Sequence, residues 1–397
     1  MKKFTLLAIL IIFSSSVYAI DEADLQEVFL KEPSSEQTEI MENASAEINN
    51  IANEDKSLRE KLHDVYNIEV YKYNKPYMMF SEILSKRFSE DSKMDRIQTW
   101  VGYNGDLGFN FHNDGGFEGN YDINVINWGF DGYLKDNNAD FRLLFNVSPF
   151  STRNVMQNLI TDAYIATNKI PHHRLLVGNS RPAVGVEGSY SSFTLPFMHR
   201  AQISRNFGTV RKFGARVMGN YDLVEYDIGG YSSDTYWQEF FPGAEFIGWI
   251  NFKPLGKTDG RYGRLKLGGG LQSGHRDNNY CVTGAYVGYE YKRFMANFEW
   301  ANADGYNGPI GHSVNKHAGG FYATLGYMIT KKLQCLLRYD EFNPDKNLSN
   351  NKKREYSAGL NYYIKGQGLK LMFNYIFCQN ENAKDSHRIM FGTQIML

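Results

Sequence analysis

From residue 96 to the end of the chain, apolar and polar residues alternate with a period of two. The pattern is clear between residues 293 and 300, where one set is Phe294, Ala296, Phe298 and Trp300 and the other is Arg293, Met295, Asn297 and Glu299. Successive side chains of a strand point to opposite faces of the sheet. The pattern therefore predicts strands with an apolar outer face and a polar inner face.

Sixteen or seventeen segments of this kind can be read along the chain, an interpretation that rests on period-two alternation. The weaker ones are 98–103, 107–112, 123–133, 141–147, 223–229, 246–252 and 264–271. Short turns, such as 330–332 and 365–368, alternate with longer polar stretches, such as 340–354. Bacterial outer-membrane barrels show this asymmetry and have an even number of strands. We therefore predict an all-β fold, a 16-stranded antiparallel transmembrane β-barrel with an aqueous lumen.

The last residues support barrel closure. Ile389, Phe391, Thr393, Ile395 and Leu397 form one apolar face of a terminal strand. In a membrane barrel the terminal strand pairs with the first, because an unpaired edge in lipid leaves backbone groups without partners. This pattern favours a membrane barrel over a large secreted β-sandwich or β-helix. The 27 Tyr, 27 Phe and 37 Gly favour it too, because barrels need aromatic girdles and close packing.

The N-terminal part has a different pattern. Residues 1–19 have the charged start, short apolar run and small-residue end of a signal peptide, and cleavage is expected after Ala19. Residues 20–65 are acidic, with apolar residues at heptad spacing, which predicts a helical arm in the periplasm. The arm is either an oligomeric coiled coil or a single amphipathic, partly disordered segment. Residues 66–95 form a connector, and the barrel is expected over 96–397.

The stretch from Thr161 to Arg216 joins predicted strands through a connection too long for a turn. It carries Arg181, Arg200, Arg205 and Arg211 but only one carboxylate, Glu187, between them. Long structureless loops are uncommon in compact domains. Inside a barrel such a loop could narrow the lumen and supply positive charge.

The candidate pore-lining and anion-binding residues are the arginines of this stretch, because guanidinium groups replace part of an anion's hydration shell. Arg216 has an argument of its own, since Ala215 and Val217 on either side of it point outward and Arg216 must then point inward. In the alternative reading Arg200, Arg205 and Arg211 pair with luminal carboxylates and only hold the loop. The candidates are Arg181, Arg200, Arg205, Arg211 and Arg216.

Several motifs in this order resemble the phosphate-selective porin O/P family of Gram-negative outer membranes. The central ones are 162–164, 175–182 and 197–200, and the C-terminal ones are 337–340, 359–363 and 369–375. The resemblance implies a 16-stranded barrel, often trimeric, with a constriction loop and basic residues along an anion path. Arg181 and Arg200 match basic positions of the family. His199 stands where the family usually has an acidic residue.

The resemblance implies a porin in the outer membrane of a Gram-negative bacterium. It would pass small hydrophilic solutes passively, prefer anions such as phosphate or polyphosphate, contact outer-membrane lipid and form a homotrimer. No cofactor, metal or nucleic acid is expected.

Three alternatives remain: a non-selective general porin, a structural or adhesive barrel with a closed lumen, and a barrel hydrolase. The hydrolase needs a nucleophile beside a base. Ser386 and His387 are adjacent in sequence and so point to opposite faces of a strand.

Overall fold

The computed structural model describes residues 85–113, 115–135, 139–148, 159–234, 239–307 and 313–397. Seventeen strands form one antiparallel sheet. The strands are β1 (Ser85–Arg87), β2 (Met94–His112), β3 (Phe117–Leu134), β4 (Ala139–Asn146), β5 (Ile160–Thr167), β6 (His173–Ser180), β7 (Lys212–Asn220), β8 (Val224–Ser232), β9 (Ala244–Phe252), β10 (Arg264–His275), β11 (Asn279–Tyr291), β12 (Phe294–Tyr306), β13 (Ser313–Met328), β14 (Leu333–Asn343), β15 (Lys353–Lys365), β16 (Leu369–Asn380) and β17 (Ser386–Met396). A helical turn, α1 (Val186–Ser189), and a π-helical turn, Ser204–Gly208, lie between β6 and β7.

The barrel closes as the sequence predicts, with 16 strands. Each strand from β2 to β17 pairs with its neighbours in chain order, and β17 pairs with β2 from Ser386↔His112 to Met396↔Gly102. The short strand β1 pairs with the part of β2 beyond this contact, where Ser85 lies opposite Gln98. Closure gives the backbone groups of the first and last barrel strands a partner, which lipid cannot provide.

The predicted inner and outer faces are confirmed on the C-terminal strands. Phe298 and Leu337 are 41% and 60% exposed on the outside, whereas Glu299 and Arg338 are 2% and 6% exposed on the inside. Arg216 is 6% exposed and bonded within the lumen, so its predicted inward direction is also confirmed.

The separate strands predicted over 98–103 and 107–112 were wrong, because β2 runs unbroken through both. Asn104 and Asp106 resemble turn residues in the sequence. In the structure both point inward and are buried, so the polar pair continues the alternation. The strands β1 and the start of β2 lie within the predicted connector 66–95. The predicted signal peptide and acidic arm lie outside the described residues.

The two ends of the barrel differ in their connections. At one end, the short-turn end, strands are joined by 135–138, 168–172, 221–223, 292–293, 329–332 and 366–368, with one longer connection, 253–263. At the other, the long-loop end, the connections include 147–159, 181–211, 233–243 and 344–352. Outer-membrane barrels have short turns on the periplasmic side, so the short-turn end is periplasmic.

A row of aromatic rings crosses the outside of six strands, β12 to β17. Consecutive centroids are 4.9–6.0 Å apart along Phe298, Phe321, Tyr339, Tyr356, Phe377 and His387. Aromatic girdles mark the levels where membrane barrels meet the lipid headgroups. The wall from β12 to β17 therefore faces lipid. Within the described ranges, helices are too short and too polar to cross a membrane.

Candidate functional site: a luminal loop and the cavity beside it

The connection between β6 and β7, residues 181–211, folds into the lumen and is called the luminal loop here. Inward side chains of the opposite strands accept hydrogen bonds from its backbone amides. Val186 donates to Glu299 Oε1 (2.8 Å), Met198 to Asn374 Oδ1 (2.9 Å) and Gln202 to Asp340 Oδ2 (2.7 Å), on β12, β16 and β14. Buried backbone groups need such partners, and here the barrel wall supplies them.

The same wall also donates hydrogen bonds to the loop's carbonyl oxygens. Asn361 Nδ2 donates to Pro196 (2.8 Å), Lys370 Nζ to Leu195 (3.1 Å) and Gln394 Nε2 to Phe193 (2.7 Å). The three donors lie on β15, β16 and β17. The loop is thus fixed along its length by successive strands rather than at a single point.

A buried ion pair holds the centre of the luminal loop. Arg338 Nη2 lies 2.6 Å from Glu187 Oε1, and both side chains are almost fully buried. Glu187 Oε2 also accepts from the Ala201 amide at 3.1 Å, and Arg338 donates to the His199 carbonyl at 3.1 Å. The guanidinium lies over the ring of Phe197, 4.5 Å from its centroid. Glu187, the lone carboxylate noted in the sequence, is therefore an anchor of the loop.

Apolar side chains of the loop pack against the inside of the barrel. The loop's phenylalanine, leucine and isoleucine side chains are no more than 3% exposed: Phe193, Leu195, Phe197, Ile203 and Phe207. Phe193 lies edge-on to Trp100 of β2, and a Cβ at Gly102 would be 2.5 Å from its ring. Glycine at residue 102 therefore makes room for the ring. Burying a large apolar side chain contributes roughly 1.5–3 kcal/mol, so these contacts hold the loop as firmly as its hydrogen bonds.

A cavity of about 170 Å³ remains between the luminal loop and the wall formed by β2 to β7. Its lining is mostly polar, and among the described residues it holds four arginines but one carboxylate, Asp162. The charged lining residues are Arg142, Asp162, Arg181, Arg211 and Arg216, and the others are Trp100, Asn124, Val125, Asn127, Leu144, Asn146, Thr161, Tyr164, Ser180, Ser191 and Ser192.

Three of these arginines, Arg142, Arg211 and Arg216, form ion pairs with aspartates of neighbouring strands. Arg142 forms two bonds to Asp131, at 2.6 and 3.0 Å. The Nε of Arg211 donates to Asp162 at 2.7 Å. These pairs fix the orientation of the guanidinium groups. A guanidinium has five N–H donors, which is more than one carboxylate can accept, so each pair leaves donors for other partners.

Arg216 and Arg181 are joined through the backbone. Arg216 Nη1 donates to Asp227 Oδ2 and to the Arg181 carbonyl, each at 2.9 Å. The Nη1 of Arg181 donates to the carbonyl of Tyr190 within the loop. The Arg181 carbonyl thus ties the start of the luminal loop to β7 through Arg216.

The other two predicted arginines are not among the residues that line this cavity. Arg200 Nη2 donates to the Tyr190 carbonyl at 2.6 Å, and Arg205 pairs with Glu355 of β15 at 2.7 Å. The lining thus contains Arg181, Arg211 and Arg216. Arg200 lies beside it and shares the Tyr190 carbonyl with Arg181, whereas Arg205 pairs with the wall at β15. The pairing with luminal carboxylates that the alternative reading predicts is observed for Arg205 and Arg211, whereas Arg200 donates to a backbone carbonyl.

His199 lies in the loop close to several arginines. Burial, together with the positive charges of Arg205 and Arg388, lowers the pKa of its imidazole to about 4. The ring Nδ1 is 3.5 Å from Arg388 Nη1. The imidazole is therefore neutral near pH 7. It does not supply the negative charge that the family resemblance implies at this residue.

Sequence reasoning missed Arg142 and the serines of the loop. Arg142 lies between outward Phe141 and Leu143 on β4, so the argument that directs Arg216 inward also applies to it. Ser191 and Ser192 gave no signal, since their place in the lining depends on how the loop folds.

The sequence model of the family "Phosphate-selective porin O and P" matches residues 258–396 of this chain. The resemblance noted in the sequence is thus confirmed over the C-terminal strands, which contain the motifs at 337–340 and 359–375. The central motifs from 162 to 200 lie outside the matched range. A comparison with curated proteins gives no match.

Three solved structures share the fold. The anion-selective porin from Comamonas acidovorans aligns with a TM-score of 0.56 and 11% identity, over 76% of this chain and 99% of that one. Pseudomonas putida OprB, in its high-pH structure, gives 0.56 and 10%, over 79% and 100%. In-vitro-folded Vibrio cholerae OmpT, in its trimer form, gives 0.50 and 10%, over 76% and 99%. At identities this low, the structural alignments establish the shared barrel fold and nothing finer.

Proposed function

We propose that this chain is an outer-membrane porin that passes small hydrophilic solutes passively and prefers anions. The barrel fold and the family match over the C-terminal strands support the porin assignment. The observation that carries the anion preference is the cavity beside the luminal loop, where four arginines face one aspartate. Within this proposal the loop forms the constriction, and Arg142, Arg181, Arg211 and Arg216 line the path.

The charge balance of the cavity suggests a moderate preference rather than an exclusive one. Asp131, Asp162 and Asp227 pair with Arg142, Arg211 and Arg216 and offset much of the positive charge of the lining. A unit charge about 4 Å from an ion contributes roughly 1 kcal/mol in water and about 4 kcal/mol at a protein surface. Salt screens it. We expect an anion preference of several-fold at low salt that decreases as salt rises.

Arg200 and Arg205 have a different role within this proposal. Each bonds to the loop or to the wall that holds it, so both position the loop rather than meet the solute. We propose that phosphate, if it is a preferred solute, binds through the forked donors of the cavity arginines. A homotrimer is proposed as well, supported by the trimer form of the similar OmpT structure.

The hydrolase alternative finds no support at the pair that suggested it. His387 Nδ1 lies 2.8 Å from the Tyr375 hydroxyl, and its ring stacks on Phe377 in the outer aromatic row. Ser386 is the adjacent residue on the same strand, so the two side chains point to opposite faces. The family match and the similar structures favour a channel over an enzyme.

The function is tested by reconstitution in planar bilayers under a salt gradient. We expect a conductance whose reversal potential has the sign of anion preference. Absence of conductance contradicts the porin assignment, and a reversal potential of the opposite sign contradicts the anion preference. Addition of phosphate separates the two kinds of anion pore: a phosphate-binding pore shows block of chloride current, and a general porin shows none.

The site is tested with a matched pair of variants, Arg181→Gln and Arg205→Gln. Each removes one positive charge from the lumen, but only the first removes it from the cavity lining. We expect Arg181→Gln to reduce the anion-to-cation permeability ratio several-fold at low salt and Arg205→Gln to change it little. Equal effects of the two substitutions contradict the proposed path. Heat-modifiable migration in electrophoresis checks that both variants fold.

A further inference from the structure

The short-turn end carries exposed basic residues in three successive turns. They are Lys292, Arg293, Lys331, Lys332 and Lys365, and they are called the basic rim here. The turns join β11 to β12, β13 to β14 and β15 to β16, so the basic rim follows one side of the barrel. This distribution does not follow from the overall net charge, which is −1.

Outward aromatic residues lie directly beside the basic rim. Tyr327 and Tyr362 are 47% and 44% exposed on the outer face, within a few residues of Lys331 and Lys365. The ammonium of Lys292 lies 4.9 Å from the centroid of Tyr291. Aromatic rings followed by Lys or Arg occur where a protein surface passes from hydrocarbon to headgroups. The basic rim therefore lies at headgroup level, on the lipid-facing side of the barrel.

The basic residues at the two ends of these strands differ in their partners. At the long-loop end, Lys352 and Arg354 pair with Glu341 at 2.9 and 3.0 Å, and Arg354 also pairs with Glu381. At the short-turn end, Lys292, Lys331 and Lys332 form no ion pair with a carboxylate of the described residues. Among the described residues, carboxylates thus offset the charges of Lys352 and Arg354 but not those of Lys292, Lys331 and Lys332.

We propose that the basic rim binds the phosphates of anionic phospholipids in the leaflet at the short-turn end. Each lysine or arginine near an anionic membrane surface contributes about 1 kcal/mol of attraction, which corresponds to about fivefold in affinity. Five such residues on one side of the barrel bind anionic lipid there in preference to zwitterionic lipid. The proposal depends on membrane insertion of the barrel and not on its solute preference.

The rim is tested with the full chain in detergent by titration with phosphatidylglycerol or phosphatidylcholine, with bound lipid counted by native mass spectrometry. The variant is Lys331→Gln/Lys332→Gln. The control, Lys316→Gln/Lys353→Gln, removes the same charge from exposed residues at the long-loop end. We expect phosphatidylglycerol affinity to fall about fivefold for each rim charge removed and to stay unchanged in the control. The difference should shrink as salt is raised.

Three outcomes overturn the proposal. Equal binding of the two lipids removes the preference for anionic headgroups, and an equal loss in both variants removes the location. If Lys331→Gln/Lys332→Gln leaves lipid binding unchanged but alters ion conductance, the basic rim acts on the permeating ions and not on lipid. Retention of heat-modifiable migration confirms that each variant forms a barrel, so a loss of lipid binding is not a loss of folding.

Discussion

The two luminal walls of the barrel use polar side chains in different ways. The wall from β12 to β17 directs Glu299, Asn374 and Gln394 at the backbone of the luminal loop. The wall from β3 to β8 instead joins its own strands by ion pairs, such as Arg142–Asp131 and Arg216–Asp227. The first wall holds the loop, and the second leaves the cavity open beside it.

Because of this difference, the shape of the proposed constriction and its charge depend on different residues. The wall from β12 to β17 is called the docking wall here, and the wall from β3 to β8 the cavity wall. Hydrogen bonds to the loop backbone depend little on the loop's side chains, so the docking wall can hold the loop whatever charges face the cavity. Ion pairs within the cavity wall fix the guanidinium groups without using all their donors. Substitutions on the first wall should therefore alter pore size, and substitutions on the second should alter ion preference.

The largest effect is expected from Arg338→Gln on the docking wall. It leaves the Glu187 carboxylate buried without its cationic partner, and breaking a buried ion pair in this way costs about 3–5 kcal/mol. The loop should then leave the wall, which raises single-channel conductance and current noise.

The matched control is Glu187→Gln/Arg338→Met, which removes both charges and should recover part of the native conductance. Heat-modifiable migration shows whether the barrel forms in each variant. Native conductance in a folded Arg338→Gln protein would show that this ion pair does not hold the loop.

A smaller effect is expected from acid, through His199 in the loop. Its pKa falls from an ordinary value near 6.5 to about 4 when the loop is docked, so the undocked loop takes up a proton first. Docking is at full strength above pH 6.5 and weakens as pH falls towards 4, by up to about 3 kcal/mol.

Conductance noise recorded from pH 7 to pH 4 measures this loss. In His199→Gln the part of the pH response that comes from the imidazole should disappear. Identical pH profiles of the variant and the native protein would assign the response to the luminal carboxylates.

The smallest effect is expected from Asp162→Asn on the cavity wall. It removes the one carboxylate that the described residues contribute to the lining and frees Arg211 from its partner, so the anion-to-cation permeability ratio should rise a few-fold at low salt. Conductance should change little, since the loop stays docked. Glu355→Gln is the control, because it frees Arg205 away from the cavity. A fall in the ratio for Asp162→Asn would contradict the cavity as the ion path.

The sequence allowed the barrel, its strand number and the inner and outer faces to be predicted. Alternation is a local property, and it remains readable wherever outward apolar residues such as Phe298 and Leu337 recur at every second residue. It failed at residues 104–106, where inward polar residues beside a glycine resemble a turn. The inward direction of Arg216 followed from its neighbours alone, and the same reasoning would have found Arg142.

The partners of the candidate arginines could not be predicted. Arg211 pairs with Asp162 and Arg205 with Glu355, across sequence separations of 49 and 150 residues. These pairs depend on strand register and on the path of the luminal loop, which no local pattern encodes. The five candidates therefore looked equivalent in the sequence, although three line the cavity and two do not.

The anchors of the luminal loop also set an order of assembly. Met198 meets Asn374 and Phe193 meets Gln394, residues 176 and 201 further along the chain. Contacts between such distant residues form late, because the intervening chain must first be brought together. The loop can reach its final path only after the last strands have paired. The pore therefore acquires its final width in the last step of folding. Until then the luminal loop has no place to dock and does not narrow the lumen.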